Sequence, residues 1–253
     1  MIRVALQGRA AGQVARLTIE REAKLNSLDS ATLEGIVRAM RELPGEVRAV
    51  VLTGAGTRAF AGGASIDELA ALDPVTAREF ITRVHQACDA LREHPVPVIA
   101  RVNGYCLGAG LELAAACDLR IAAAGAAFGM PEVRLGIPSV VEAALLPRLI
   151  GAGRARWLVL TGESIDAAQA LEWGLVERVV PAARLDAAVE AALGALLAAG
   201  DAALRAQKRL CKLWEEAPLR QCVHESIDEF ARAYAGEAPR RMIGEFLAAK
   251  KKR

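Results

Sequence analysis

The stretch GYCLGAGLELAAACD, Gly104 to Asp118, decides how this chain reads. It follows VPVIARV, Val96 to Val102, a short run of strand character, and passes from glycine-rich to an apolar helical pattern within a few residues. Glu112 is the only charge between Arg101 and Asp118. A carboxylate is costly to bury in such surroundings unless it is paired or put to use. One reading makes Glu112 a first-turn acid that complements the helix dipole. The other is chemical. Ala109 lies three residues earlier, on the same helix face, near the start, where backbone N–H groups lack intrahelical partners. A free N–H beside a carboxylate can stabilise a developing oxyanion while the carboxylate moves a proton.

Outward from this segment, strands and helices alternate. VARLTIE, Val14 to Glu20, has the period of a strand. Asp29 or Ser30 caps a helix running to about Leu43, with Pro44-Gly45 as its stop. Ala49 to Thr53 is a buried strand, Thr57 to Ser65 is irregular and glycine-rich, and Ile66 to Leu72 is a helical turn. Pro74 to Glu93 is a longer helix and Leu119 to Ala123 another strand. From Val141 onward nearly everything reads as helix, with breaks at Gly151, Gly162, Gly174, Pro181, Gly200, Pro218 and Gly236 to Pro239. The expected class is therefore α/β. Residues 1–195 form a β/α core with the site, and residues 196–253 form a helical section that must cover its apolar faces on the core or on another subunit.

The composition fits. The chain has 253 residues and 53% hydrophobic content, enough for one large core. Aromatics are only 4%, which favours helices packed with small residues over an all-β sandwich. A net charge of +2 implies no broad nucleic-acid surface. The five cysteines, Cys88, Cys106, Cys117, Cys211 and Cys222, include no C-x-x-C pair. They speak against zinc and a disulfide framework and for a reducing compartment. No apolar run suggests a signal peptide or a membrane span, so a cytoplasmic location is expected. His85, His94 and His224 are scattered, and no metal site is expected.

Two irregular segments complete the local reading. In AAFGMPEVRLGIP, residues 126–138, Gly129, Pro131, Gly136 and Pro138 make an ordered loop around Glu132, which by itself looks like a solvent-facing loop acid. In FAGGAS, Phe60 to Ser65, the glycines allow close approach of the backbone to a ligand or simply make a turn. GAGTRA, Gly54 to Ala59, matches a loose dinucleotide fingerprint, but FAGGAS follows where a helix should open.

Together these segments resemble the crotonase, or enoyl-CoA hydratase/isomerase, superfamily. The resemblance runs through Lys24 to Ile36, Ala49 to Leu69, Pro97 to Ala123, Phe128 to Pro138 and Leu160 to Pro181, in order and at the family's spacing. It implies a crotonase-like β/α spiral core with a C-terminal helical trimerisation section, in a homotrimer or dimer of trimers. It implies an acyl-CoA thioester substrate, with coenzyme A entering as part of that substrate and no tightly bound cofactor. The family's oxyanion hole falls on the backbone N–H groups of Ala64 and Ala109, and alanine in place of glycine keeps the donor. The hydratase members' two glutamates fall on Glu112 and Glu132, twenty residues apart. Lys24, Leu25, Gly62, Ser65, Ile66, Asp67 and Gly108 fall on the substrate and CoA path. The implied reaction is hydration of a 2-enoyl thioester.

The chain departs from the pattern in places. Ser65 stands where the family usually has Asp. Ser139 to Leu145, SVVEAAL, replaces the Gly-Ala-Gly-Gly-Thr-Gln-Arg stretch common in hydratases, with a one-residue deletion before Ile137. That segment lies near the acyl end of the pocket in the family. Glu142 is either a third carboxylate of the site or a first-turn helix acid. Isomerisation, hydrolysis and decarboxylation of acyl-CoA are the neighbouring reactions. One branch of the superfamily binds RNA, but both glutamates are retained here, and the Lys250 to Arg253 tail reads as a solvated terminus or a contact to CoA phosphates.

Overall fold

The computed structural model describes residues 1–251. It opens with β1 (Ile2–Arg9), β2 (Gly12–Ile19), α1 (Ser30–Arg41), β3 (Val47–Gly54), β4 (Ala59–Ala61), the short α2 (Ile66–Leu69) and the long α3 (Pro74–Glu93). Next come β5 (Val98–Val102), β6 (Tyr105–Leu107), α4 (Ala109–Ala116), β7 (Leu119–Ala123) and β8 (Ala127–Gly129). Two 3-10 turns, Pro131–Leu135 and Val141–Leu145, lead to α5 (Leu146–Ile150) and α6 (Ala152–Thr161). After β9 (Ser164–Asp166), α7 (Ala167–Trp173) and β10 (Arg178–Val180), the chain continues in helices α8 (Leu185–Ala198), α9 (Asp201–Glu216), α10 (Leu219–Ala233) and α11 (Ala238–Lys251).

The strands form two sheets, β1-β2-β3-β5-β7-β10 and β4-β6-β8-β9. Consecutive pairs, β3 and β4, β5 and β6, β7 and β8, send one strand to each sheet, so the chain winds as a β/α spiral. In the small sheet β4 runs parallel to β6, and β6 to β8. Their C-terminal ends therefore point the same way. The segments leaving those ends are Gly62–Ser65, the start of α4 and the Glu132 turn. Three remote stretches of sequence thus meet at one edge, the usual place for a ligand in a parallel sheet.

Strand β3 explains its own apolar run. Val50 and Leu52 face the main core with Leu33, Ile36, Phe80 and Val84 from α1 and α3. Ala49 and Val51 face the opposite side, under Leu185, Val189 and Leu193 of α8. With both faces covered, no polar alternation survives. Helix starts follow from capping. The Asp29 side chain accepts the Thr32 N–H at 2.9 Å, and Asp73 forms a capping box with Thr76 ahead of Pro74.

The expectation of helix throughout the chain after Val141 needs correction. β9 pairs with β8, and β10 extends the large sheet beside β7. Each has three residues, too few to display a period. The same brevity hid β4, β6 and β8.

Helix α9 is tied to the core by charge. Buried Lys208 pairs with Asp118 at 2.8 Å and donates to the carbonyls of Leu91 and Val96 at 3.0 and 3.1 Å. Helices α10 and α11 differ. Leu219 (81%), Ile227 (62%), Phe230 (69%) and Phe246 (69%) stand exposed. The last two residues of the basic tail lie outside the described residues. No single helix among the described residues is long and apolar enough to cross a membrane.

Candidate active site

Every residue of α4 is buried, which is why the segment reads as apolar throughout, and Glu112 is only 4% exposed. Gly108 starts the helix at φ 50° and ψ −126°, backbone space open to glycine. A Cβ on Gly108 would stand 2.2 Å from Glu132 Oε1. One on Gly110 would stand 2.4 Å from the Ala61 carbonyl oxygen. Gly110 thus lets α4 lie against β4, and Gly108 lets the Glu132 carboxylate reach the helix N-terminus.

The two carboxylates are held differently. Glu112 Oε1 accepts the Ala143 N–H at 2.9 Å, from the Val141–Leu145 turn. Burial pushes the Glu112 pKa up from 4.5 to about 8; the Ala143 hydrogen bond opposes this, and the Glu132 and Glu142 charges add to it. Glu112 is therefore a neutral acid at pH 7. Glu132, half-buried in the Pro131–Leu135 turn, accepts the Ser139 hydroxyl on Oε2 at 2.8 Å.

Two N–H groups border the carboxylates. Ala109 is the first residue of α4, where an N–H has no intrahelical acceptor. Beside Ala64, the Ser65 N–H donates to the Leu28 carbonyl at 2.7 Å and the Leu28 N–H to the Gly63 carbonyl at 2.8 Å. Among the described residues the Ala64 N–H meets no backbone acceptor. The Gly63 Cα lies 3.9 Å from where a Gly108 Cβ would stand, so both donors flank one locality.

The Lys24–Leu28 strap fixes that geometry. Leu25 and Asn26 both take φ 53°, in the left-handed region. Fully buried Asn26 donates to the carbonyls of Ala55 and Ala59 at 2.9 and 2.8 Å. The Gly62 N–H donates to the Leu25 carbonyl at 2.8 Å. At the rim, Lys24 Nζ meets Asp67 Oδ2 at 2.8 Å, and this contact holds the Asp67 carboxyl below its usual range. Ser65 is buried there, while Ile66 is 59% exposed. The expected site residues are thus brought to one place.

The matching family model, enoyl-CoA hydratase/isomerase, covers residues 9–246. The chain belongs to that family. With its hydratase relatives, the family marks the chain as an enzyme of hydratase type. A short-chain-enoyl-CoA hydratase of Clostridium acetobutylicum is 42% identical over 69% of this chain and 68% of its own length. A crotonyl-CoA hydratase of Syntrophomonas wolfei is 35% identical over 94% of this chain and 93% of its own. The crystal structure of an enoyl-CoA hydratase from Bacillus anthracis superposes with a TM-score of 0.90 at 32% identity, covering 99% of this chain and 96% of that one. The crotonase-type spiral is thereby established.

Sequence reasoning missed four residues of this hydratase-family site. Ser139 and Ala143 seat the carboxylates, and Asn26 pins the strap. His85, taken as isolated, lies with Nδ1 2.7 Å from Glu142 Oε1. Glu142 itself is a first-turn acid of the Val141–Leu145 3-10 turn, and it is buried. For Asn26 a signal existed: a polar residue between leucine and serine just before the helix cap, with no cap of its own to make.

Proposed function

We propose that this chain adds water across the double bond of a 2-enoyl-CoA thioester to give a 3-hydroxyacyl-CoA. One observation carries the reading: Glu132 reaches Gly108 at the start of the helix that carries Glu112, close enough for its charge to act on Glu112, beside two unengaged N–H groups. The thioester carbonyl oxygen accepts from the Ala64 and Ala109 N–H groups, which draw electron density from C3. Glu112 and Glu132 hold a water between them. Its oxygen bonds to C3 while the π electrons move through C2 and C1 onto the carbonyl oxygen. The pair takes one proton from the water and delivers one to C2, so the enzyme returns to its starting state. Charge on the carbonyl oxygen peaks in the enolate-like transition state, where preorganised donors contribute most.

The named activities of the relatives support this substrate class, with coenzyme A as part of the substrate. The exposed apolar faces of α10 and α11 support a homotrimer, or a dimer of trimers, built on residues 196–253, with residues 1–195 as the core. Five unpaired cysteines support a cytoplasmic location. The test is loss of crotonyl-CoA absorbance. Glu112→Gln and Glu132→Gln should each lower the rate by about 10²–10⁴. A wild-type rate in either variant overturns the acid–base assignment, and turnover of a 3-enoyl but not a 2-enoyl thioester overturns hydration.

A further inference from the structure

The Val141–Leu145 turn supplies one group to the site, the Ala143 N–H that Glu112 Oε1 accepts at 2.9 Å. The turn does not support itself. Val141 takes φ 39°, in the left-handed region that a β-branched residue seldom adopts. Such backbone persists only where its surroundings fix it. Val141, Ala143 and Leu145 pack on the main core. Those apolar contacts hold the turn down, but they are non-directional and do not set its rotation.

A directional tether comes from α3. Glu142, only 9% exposed, meets His85 Nδ1 through Oε1 at 2.7 Å. An ionised carboxylate only accepts, so Nδ1 donates. Oε2 is buried without a hydrogen-bond partner, and the Cys88 thiol of α3 packs against the same carboxylate. A thiol is a weak donor, so His85 is the one strong donor to Glu142 among the described residues. A buried carboxylate is costly without a donor, and Glu142 is therefore held where His85 stands. His85 in turn stands on a firm base, since Phe80, Val84, Ala87 and Leu91 bury α3 in the core. Adjacent residues of one turn thus reach opposite ways, the Glu142 side chain to α3 and the Ala143 N–H to Glu112 on α4. Rotating the turn would break both bonds together.

We infer that His85 is a positioning residue of the site: by holding Glu142, it fixes the Val141–Leu145 turn so that the Ala143 N–H stays on Glu112. The inference rests on the hydratase reading only for what Glu112 does once it is held.

Amide exchange read by mass spectrometry and crotonyl-CoA kinetics test it together. The His85 side chain is 53% exposed, so its removal opens no core cavity. In His85→Ala the 141–145 turn should exchange about tenfold faster, with α4 protection unchanged. Its kcat should fall about tenfold, the scale of one hydrogen bond to a charged group, with little change in KM. His85→Asn returns an N–H donor near the Nδ1 position and should restore both readouts. In a Glu142→Leu background, His85→Ala should add nothing further. Wild-type exchange of the turn in His85→Ala, a loss that His85→Asn does not restore, or an added effect in the Glu142→Leu background overturns the inference. Hydration by the wild type with an unchanged kcat in His85→Ala sinks this inference alone. Turn exchange that follows His85 in a protein unable to hydrate crotonyl-CoA sinks the hydratase reading alone.

Discussion

Replacing Glu112 by glutamine should lower activity about 10²–10⁴-fold and raise stability, the second effect only at high pH. The native acid has a pKa of about 8, against 4.5 for the same group in the unfolded chain. Folding therefore binds its proton more tightly. The group's contribution to stability is complete below pH 4.5, is lost as pH rises to 8, and stays lost above that. At about 1.36 kcal/mol per pH unit, the loss approaches about 5 kcal/mol. Glutamine has the shape of the protonated acid, keeps an oxygen for the Ala143 N–H and does not ionise. At pH 5 the variant and wild type should be nearly equal in denaturant unfolding. At pH 9 the variant should be the more stable by several kcal/mol, while crotonyl-CoA hydration stays depressed at both. A stability difference that is flat from pH 5 to 9 would refute the claim that Glu112 is a buried, neutral acid. The same shift predicts that wild-type turnover falls as pH rises through about 8.

Ser139→Ala removes the hydroxyl on Glu132 Oε2 and should lower kcat about tenfold with little change in KM, as expected for one hydrogen bond to a charged group; crotonyl-CoA kinetics check it. Ala109→Pro deletes one N–H at the first position of α4, where proline is tolerated. It should cost about 10²–10³ in kcat, with helix content unchanged by circular dichroism. Lys208→Ala takes the cation from Asp118, leaving it the Val98 N–H, and frees two carbonyls; it should cost about 3 kcal/mol of stability in a denaturant titration. Sedimentation at micromolar concentration should show a trimer or a dimer of trimers, and a monomer would contradict the role given to α10 and α11.

Long helices and the buried β3 were legible because their signals are local. Asp73-Pro74 announces α3, and a run with both faces covered announces β3. The small sheet was not legible, because β4, β6, β8 and β9 have three residues each. Their place in the fold comes from parallel pairing between remote segments, and such pairing leaves no period in the sequence. Yet that sheet makes the site, since it gathers the FAGGAS segment, the α4 start and the Glu132 turn.

The three glutamates show the same limit at the level of single side chains. Glu112 was conspicuous because its helix has no other charge, so local composition exposed its cost. Glu132 looked ordinary, because what distinguishes it is the close approach to Gly108 across the β6–β8 pair and the hydroxyl of Ser139. Glu142 looked still more ordinary, and its partner His85 lies 57 residues away on α3. A carboxylate's chemistry is set by what desolvates it and what donates to it. For Glu132 and Glu142 those partners become neighbours only when the spiral closes. The altered Ser139–Leu145 stretch is therefore where the chain seats both catalytic candidates, through Ser139 and Ala143, and also places a third acid beside them. Changes there act on the seating of both carboxylates at once, through Ser139 and Ala143, so kcat should fall when this turn is substituted.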